Sequence, residues 1–329
     1  MDEPVTELVR PCFSFITPGN QVEQKDSYMI INQGYVHFIS PTTPLSFPDE
    51  AHPQRPLLFL HGGGLTSTVY TTPLHHSTQT WATLSADSGR PTYLLDFPDS
   101  GHSQRPPSKF RTLEEGFGPL EHRTAAEAWS MFRLGPAEGL ASRKTWERSK
   151  FPGEAFDDLV AMQAARRRGP GVDDLEARAV IDAVNRIGEC DVLAHSHGAV
   201  VLLIALKMMD EMNDDSKVLV RDVVLVEPGP TGDGDMLKQS SSIGRTLVIW
   251  GDLVDKFPGS VAAWDRVKSG YKSNTAEELV LPQLGIMGNS HVMMLDTNAA
   301  QIMDIILQWL DNHTIQGAPC LDVGKKIPQ

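Results

Sequence analysis

Apolar and polar positions fall into three regimes along the chain. Near the N-terminus, short β-rich stretches at 13–16, 28–31 and 35–39 are separated by polar residues. Asn32-Gln33-Gly34 joins the last two with the spacing of an antiparallel hairpin. After a proline-rich loop from Pro41 to Pro56 the pattern changes to apolar runs at 57–60, 92–95, 191–194, 223–226, 246–250 and 278–281. Such runs suit strands covered on both faces. Between several of them apolar residues recur with helical spacing, over 173–187, 197–212, 261–268 and 298–312. This alternation predicts an α/β class with a mostly parallel central sheet, helices on both faces and an N-terminal antiparallel hairpin.

The third regime interrupts the alternation. From about Ser103 to Gly171 there is no strand signal, but Ala125, Ala128, Trp129 and Phe132 share one helical stripe, as do Phe156, Leu159 and Val160. Arg105-Pro106-Pro107 and Gly169-Pro170-Gly171 bound the stretch. The expected organisation is therefore one core (1–102 and 172–314), a helical lid insertion (103–171) and a loose C-terminal tail (315–329). A length of 329 residues, which by itself suggests two domains, fits one core plus this insertion.

Composition narrows the function classes. With 29 Lys and Arg against 42 Asp and Glu, the net charge is −13, so nucleic-acid or anionic-membrane binding would need a local basic patch. The one basic run, Arg166-Arg167-Arg168, reads as a solvated helix end. The same charge disfavours anionic substrates unless the arginines of the insertion meet them. Cys12, Cys190 and Cys320 lie far apart without CxxC spacing, which argues against a disulfide framework or a zinc knuckle. No apolar run approaches the ~20 residues of a membrane span, and no signal peptide pattern opens the chain. A soluble cytoplasmic protein is expected; its oligomeric state is left open, a homodimer included.

The strongest chemical signal is Ala194-His195-Ser196-His197-Gly198, where a buried strand gives way to an apolar helix. A serine at such a turn adopts strained backbone, and the residues two before and two after it must be small because strand and helix nearly touch. Ala194 stands where glycine is usual. A chance small-x-Ser-x-Gly at a helix N-cap is the bland alternative. His61-Gly62-Gly63-Gly64 follows the strand at 57–60. Its unobstructed backbone N–H groups, Gly63 foremost with His61, Gly62 and Gly64 in support, suit an oxyanion hole shared with the N–H of His197. Seen alone it would pass for a flexible turn; the two motifs in this order point to a serine hydrolase scaffold.

A serine hydroxyl needs a general base. Of the eleven histidines, His291 is the candidate because it lies in a polar, glycine-rich loop between the last strand and the last long helix, at the carboxyl edge of the sheet. His195 and His197 should point away from the serine hydroxyl, and His75, His76, His102 and His122 read as surface or pocket-lining residues. Two carboxylates compete for the third role. Glu227 follows the strand at 223–226 and Asp255 follows the next strand; Glu227 is preferred, because a charge at the end of a buried strand needs a partner. Asp96 and Gly101-His102-Ser103 read as structural, and His195-x-His197 lacks the companions of a metal site. Neither cofactor nor metal is expected.

With Ser196, Glu227 and His291 in that order behind the HGGG loop, the chain resembles the α/β-hydrolase superfamily from about Tyr28 to Asn312. The stretch Gly288-Asn289-Ser290-His291-Val292-Met293-Met294-Leu295-Asp296, with Val226-Glu227-Pro228-Gly229, is similar to a small group of bacterial serine esterases, the esterase 713-like group. The resemblance implies carboxylic-ester hydrolysis without a cofactor, with a glutamate after the sixth strand as the acid, which supports Glu227 over Asp255.

The leading expectation is an acyl-enzyme on Ser196 formed from a fairly hydrophobic ester or lactone, with Trp129, Phe132 and Phe156 as apolar walls under the lid. Simple packing of those aromatics onto the sheet is the plainer reading of each. Two other classes stay open. One is a tailoring enzyme of secondary metabolism that uses His291 as base for C–C bond hydrolysis, dehydration or cyclisation; the other is a non-catalytic ligand-binding protein.

Overall fold

In the computed structural model, residues 12–41, 54–74, 79–103, 118–212, 219–229, 243–270 and 276–311 are described. The chain opens with β1 (Cys12–Ile16), β2 (Asn20–Gln24), β3 (Ser27–Ile31) and β4 (Tyr35–Ile39), then β5 (Leu57–Leu60), α1 (Trp81–Asp87) and β6 (Thr92–Asp96). Between β6 and the next long helix lie β7 (Leu120–Glu121), α2 (Ala125–Met131), α3 (Phe156–Met162) and β8 (Arg166–Arg167). Strand and helix then alternate through α4 (Val172–Ile187), β9 (Cys190–His195), α5 (His197–Glu211), β10 (Val220–Val226), β11 (Thr246–Trp250), α6 (Pro258–Gly270), β12 (Ala276–Val280) and α7 (Ala299–Leu310).

Among the described residues, eight strands form one sheet in the order β1-β4-β6-β5-β9-β10-β11-β12. Pairing is parallel from β6 to β12 and antiparallel at β1–β4 and β4–β6. Because strand side chains alternate between faces, successive residues of one strand feed two cores. Leu57, Phe59, Leu193, Val224 and Ile249 pack with α1, α7 and the α2–α3 aromatics. Leu58, Leu60, Val192, Ala194, Leu225 and Val248 pack with α4, α5 and α6. The unbroken apolar runs are thus explained by burial on both sides, and the expected α/β architecture is present.

The N-terminal antiparallel hairpin exists, but its strands are β2 and β3, with Asn20 opposite Ile31; the expected pairing of 28–31 with 35–39 does not form. A strand has two edges, and both edges of β4 are taken, by β1 and by β6. Thr17 and Gly34 close the β1–β4 pair, with Thr17 N–H donating to Gly34 O at 2.9 Å and Gly34 N–H to Thr17 Oγ1 at 2.7 Å. The hairpin is therefore an excursion between two paired strands.

Helix α2 begins in a capping box: Thr124 N–H donates to Glu127 Oε2 at 2.7 Å, and Glu127 N–H to Thr124 Oγ1 at 3.3 Å. It stops at Phe132, after which Arg133 takes a left-handed φ of 58°. That reversal turns Arg133 inward, with consequences for the site below. The stretch expected to lack strands contains the short β7–β8 ladder. No helix among the described residues is long and apolar enough to cross a membrane. The tail at 315–329, His75 and His76, and most of the loop between Pro41 and Pro56 lie outside the described residues.

Candidate active site

Ser196 occupies the turn between β9 and α5 with φ 52° and ψ −118°, a conformation that costs a non-glycine residue about 1–3 kcal/mol unless its surroundings hold it. They do: Ser196 N–H donates to Val226 O at 3.0 Å, and Ser196 O accepts from Ala199 N–H at 3.1 Å and Gly229 N–H at 3.0 Å. The need for small flanking residues is steric. A Cβ at Gly198 would lie 2.6 Å from His61 O and 2.9 Å from Leu60 O, both backbone atoms. Ala194 is fully buried in β9, the strand that runs into the turn.

His291 reaches this turn from the loop after β12. Its Nε2 lies 2.9 Å from Ser196 Oγ and its Nδ1 lies 3.2 Å from Glu227 Oε2. Asp296, fully buried, pins the loop by accepting from Ser290 N–H at 2.8 Å, Ser290 Oγ at 2.8 Å and Asn289 Nδ2 at 3.0 Å. Burial pushes the Asp296 carboxyl up to about 6 despite those donors. From the other side His291 N–H donates to Phe132 O at 3.1 Å, and the Phe132 ring stacks on the imidazole. His195 Nε2–H donates to the His291 carbonyl at 2.8 Å. Burial holds His195 well below the usual histidine range, so it is a neutral strut.

Glu227 is the carboxylate that meets His291. Asp255 is exposed and pairs with Lys256 at 2.6 Å. The Glu227 Oε1 accepts from Gly251 N–H at 2.7 Å and from Arg133 Nη2 at 2.6 Å, and its Oε2 accepts from Arg133 Nη1 at 3.0 Å. Burial would raise the Glu227 carboxyl, but Arg133 and His291 outweigh it and hold it at about 2. Burial lowers His291, Glu227 partly restores it, and Arg133 and Arg123 lower it again, leaving it below the ordinary value of 6.5. The imidazole is thus neutral near pH 7 and able to take a proton. Arg133 was not singled out in the sequence; the available signal was a lone arginine between the apolar Phe132 and Leu134.

The HGGG loop lies against the same turn. A Cβ on Gly62 would sit 3.2 Å from Ser196 Cβ, and one on Gly63 would sit 3.2 Å from His197 Cβ. His61 accepts from Phe97 N–H on Nε2 at 3.4 Å, which leaves Nδ1–H to donate to Gly62 O at 2.9 Å. Fixing that carbonyl fixes the direction of the Gly63 N–H, since both belong to one planar peptide. Gly64 has φ +72°, and Arg123 Nη2 donates to Gly63 O. His197 is the first residue of α5, so its N–H has no acceptor within the helix. Its side chain turns to Glu176, 2.9 Å from Nε2.

A cavity of about 360 Å³ opens beside these groups, bordered by Ser196, His291, Gly63 and the apolar Met131, Val200, Trp250 and Phe257. The walls expected from sequence are a correction. Trp129, Phe132 and Phe156 are at most 2% exposed, belong to the core beneath the sheet face, and do not line this cavity. Trp129 packs edge-on against Phe156 with centroids 4.9 Å apart. They share the helical stripe because they bury it.

Asp173, Glu176 and His197 bring their ligand atoms within 4.8 Å of one another. The guanidinium of Arg166 stands among them, 2.7 Å from Asp173 Oδ1, 3.0 Å from Glu176 Oε2 and 2.6 Å from His197 Nε2, so a side-chain cation already meets these ligands. The Asp96 carboxylate is caged by Ser67 N–H and His102, while Ser103 Oγ donates to Asp96 O and accepts from Tyr35 N–H. These contacts tie β4 to the loop after β6.

Residues 57–298, more than half of the chain, match the alpha/beta hydrolase family, and the protein belongs to it. Among solved structures, a bacterial esterase known at atomic resolution superposes with a TM-score of 0.73 at 22% identity, over 96% of this chain and 100% of that one. Dienelactone hydrolase from Anabaena variabilis matches at 0.49 and 14% identity, over 93% and 99% of the two chains. Naproxen esterase from Bacillus subtilis matches at 0.44 and 12%, over 91% and 92%. No curated protein sequence matches the chain significantly.

Proposed function

We propose that the protein is a serine hydrolase of carboxylic esters or lactones, working through an acyl-enzyme on Ser196. The observation that carries this reading is the relay Ser196 Oγ, His291 Nε2, His291 Nδ1, Glu227 Oε2, with gaps of 2.9 and 3.2 Å, beside a cavity of substrate size. Membership of the alpha/beta hydrolase family supports it.

Attack proceeds as the Ser196 Oγ–H proton moves to His291 Nε2 and Oγ bonds to the ester carbonyl carbon. The carbonyl oxygen becomes an oxyanion received by the backbone N–H groups of Gly63 and His197. As the C–O bond to the alcohol breaks, the alkoxide takes the proton from His291. Water then repeats the sequence on the acyl-enzyme, releasing the acid and free Ser196. Glu227 keeps Nδ1 protonated and steadies the transient imidazolium; Arg133 keeps Glu227 ionised. The stretch 103–171 acts as a lid on the core of 1–102 and 172–314, since it supplies Arg133, Met131 and Arg123 to the site.

A fluorophosphonate probe tests the reading. Wild type is expected to be labelled at Ser196 and Ser196→Ala to remain unlabelled. Equal labelling of the two would overturn the choice of nucleophile, and absence of label on wild type would overturn serine catalysis.

A further inference from the structure

The charge around the cavity runs against the charge of the chain. The molecule carries −13 overall, yet the wall beside Ser196 holds Arg123, Arg166 and Arg168. Two of these cations are already compensated. Arg166 is paired with Asp173 and Glu176, and Arg168 Nε pairs with Glu121 Oε2 at 2.6 Å. The two carboxylates that border the cavity are also engaged, Asp173 by Arg166 and Glu227 by Arg133.

Arg123 differs. No carboxylate among the described residues lies within ion-pair distance of it. Its Nη2 donates to Gly63 O, while Nε and Nη1 are buried without any hydrogen-bond partner among the described residues. The Phe132 ring lies 5.5 Å from its central carbon, which dries one side of the guanidinium without supplying an anion. Burial and the neighbouring Arg168 and Arg166 lower its pKa to about 10, with the exposed Glu127 offsetting part of that, so it is still charged at neutral pH. A partly buried cation with unmet donors is unfavourable by itself. Its position against the oxyanion loop, where Gly64 approaches so closely that a Cβ would lie 2.6 Å from Nη1, keeps it beside the reacting centre.

We propose that the preferred ester carries a carboxylate and that Arg123 is the group that receives it, with Arg168 adding attraction from the same wall. This rests on the serine hydrolase reading above. A guanidinium that forms no ion pair with a carboxylate among the described residues matches one substrate carboxylate, and its planar fork suits the two oxygens of that group. The substrate class thereby narrows from hydrophobic esters in general to half-esters of dicarboxylic acids and their analogues. The apolar Met131, Val200 and Phe257 take the chain between the two ends.

The test compares kcat/KM for 4-nitrophenyl pentanoate with that for the mono-4-nitrophenyl ester of pentanedioic acid, in wild type, Arg123→Met and Arg123→Lys. The acyl chains match in length and differ by one carboxylate. Arg123 also holds Gly63, so its loss slows both esters, and the ratio between them removes that shared effect. Wild type is expected to favour the anionic ester by about tenfold or more, as a charge-assisted contact gives. Arg123→Met should erase the preference, and Arg123→Lys should restore part of it. A wild-type ratio below one, or a ratio unchanged in Arg123→Met, overturns the proposal while leaving ester hydrolysis standing. Should neither ester react and the fluorophosphonate fail to label, the hydrolase reading falls. Calorimetric binding of pentanedioate to wild type and Arg123→Met then decides the anion site by itself: no binding, or equal binding, overturns it.

Discussion

Arg133 and Glu227 form a two-pronged pair across the wall of the site: Nη2 lies 2.6 Å from Oε1 and Nη1 lies 3.0 Å from Oε2, and neither side chain is exposed to solvent. The pair joins the segment between β6 and α4 to the end of β10, and Arg133 extends it to Ser260 Oγ at 3.0 Å and Asp252 O at 3.2 Å. Breaking a buried pair leaves a charge without compensation. Arg133→Met is therefore expected to lower stability by about 3–5 kcal/mol. Addition of Glu227→Gln should cost less than the sum of the two single changes, because no lone carboxylate remains. Urea unfolding of the four proteins checks this; strict additivity would show the pair to be uncoupled.

Glu227 and Asp255 separate cleanly in a kinetic comparison. Glu227→Gln keeps the size of the side chain but loses the charge that holds Nδ1–H of His291, so kcat should fall by about 10³–10⁴-fold. Asp255→Asn touches only an exposed contact with Lys256 and should stay within about twofold of wild type. Steady-state rates with an aryl ester measure both.

The pH profile follows from the shifts at His291 and Glu227. His291 must be neutral to accept the serine proton and is held below 6.5. The acid limb of kcat/KM should therefore have its midpoint below pH 6.5. Because Glu227 raises His291, Glu227→Gln should move the limb further to acid. Stability has a separate window. The carboxyls of Glu227 and Glu176 are lowered from 4.5 to about 2. The unfolded chain therefore takes up their protons first, and the stabilisation present above pH 4.5 is lost as pH falls toward 2. Asp296, raised from 3.8 to about 6, acts in the opposite sense between those values, gaining stability as pH falls, so the decline in urea midpoint should stand out between pH 4 and pH 3.

Gly198→Ala tests the steric basis of the serine turn. The added methyl would meet two carbonyl oxygens of backbone, which cannot swing aside as a side chain does. A stability loss of about 1–3 kcal/mol is expected, together with slower fluorophosphonate labelling as Ser196 is displaced.

Asp296 distinguishes shape from charge in the histidine loop. Asn in its place can still accept from Ser290 N–H and Asn289 Nδ2 on its oxygen, while its amide donates to a rotated Ser290 Oγ. Asp296→Asn should therefore retain most of the activity, whereas Asp296→Ala leaves three donors unmet and should cost about 2–4 kcal/mol. Thermal unfolding and ester turnover of both variants provide the comparison.

Much of the fold was legible in the sequence because burial on both faces leaves an unambiguous mark. The runs at 57–60, 192–194 and 223–226 are apolar throughout, and the positions feeding each core alternate as a strand requires. The β2–β3 pairing was not legible, since short half-exposed strands carry no label for their partner; the two edges of β4 decided it. Helix α1 was missed because it is a single short stretch, Trp81–Asp87, fixed by a threonine capping box and its packing against α7.

At the site, the chemistry written into local spacing was readable: a serine between small residues where strand becomes helix, and consecutive glycines after a strand. Those demands arise within a few residues, so the sequence alone determined where Ser196 and the HGGG loop lie in the fold. Which of Glu227 and Asp255 lies within hydrogen-bond reach of His291, the burial of Trp129, Phe132 and Phe156, and the approach of Arg133 and Arg123 to the site were decided only by tertiary structure. Each depends on which segments, separated by tens to a hundred residues, are brought within 3 Å of one another. No periodicity along the chain encodes that distance; it emerges only when the segment that carries α2 packs against the loops after β10 and β12.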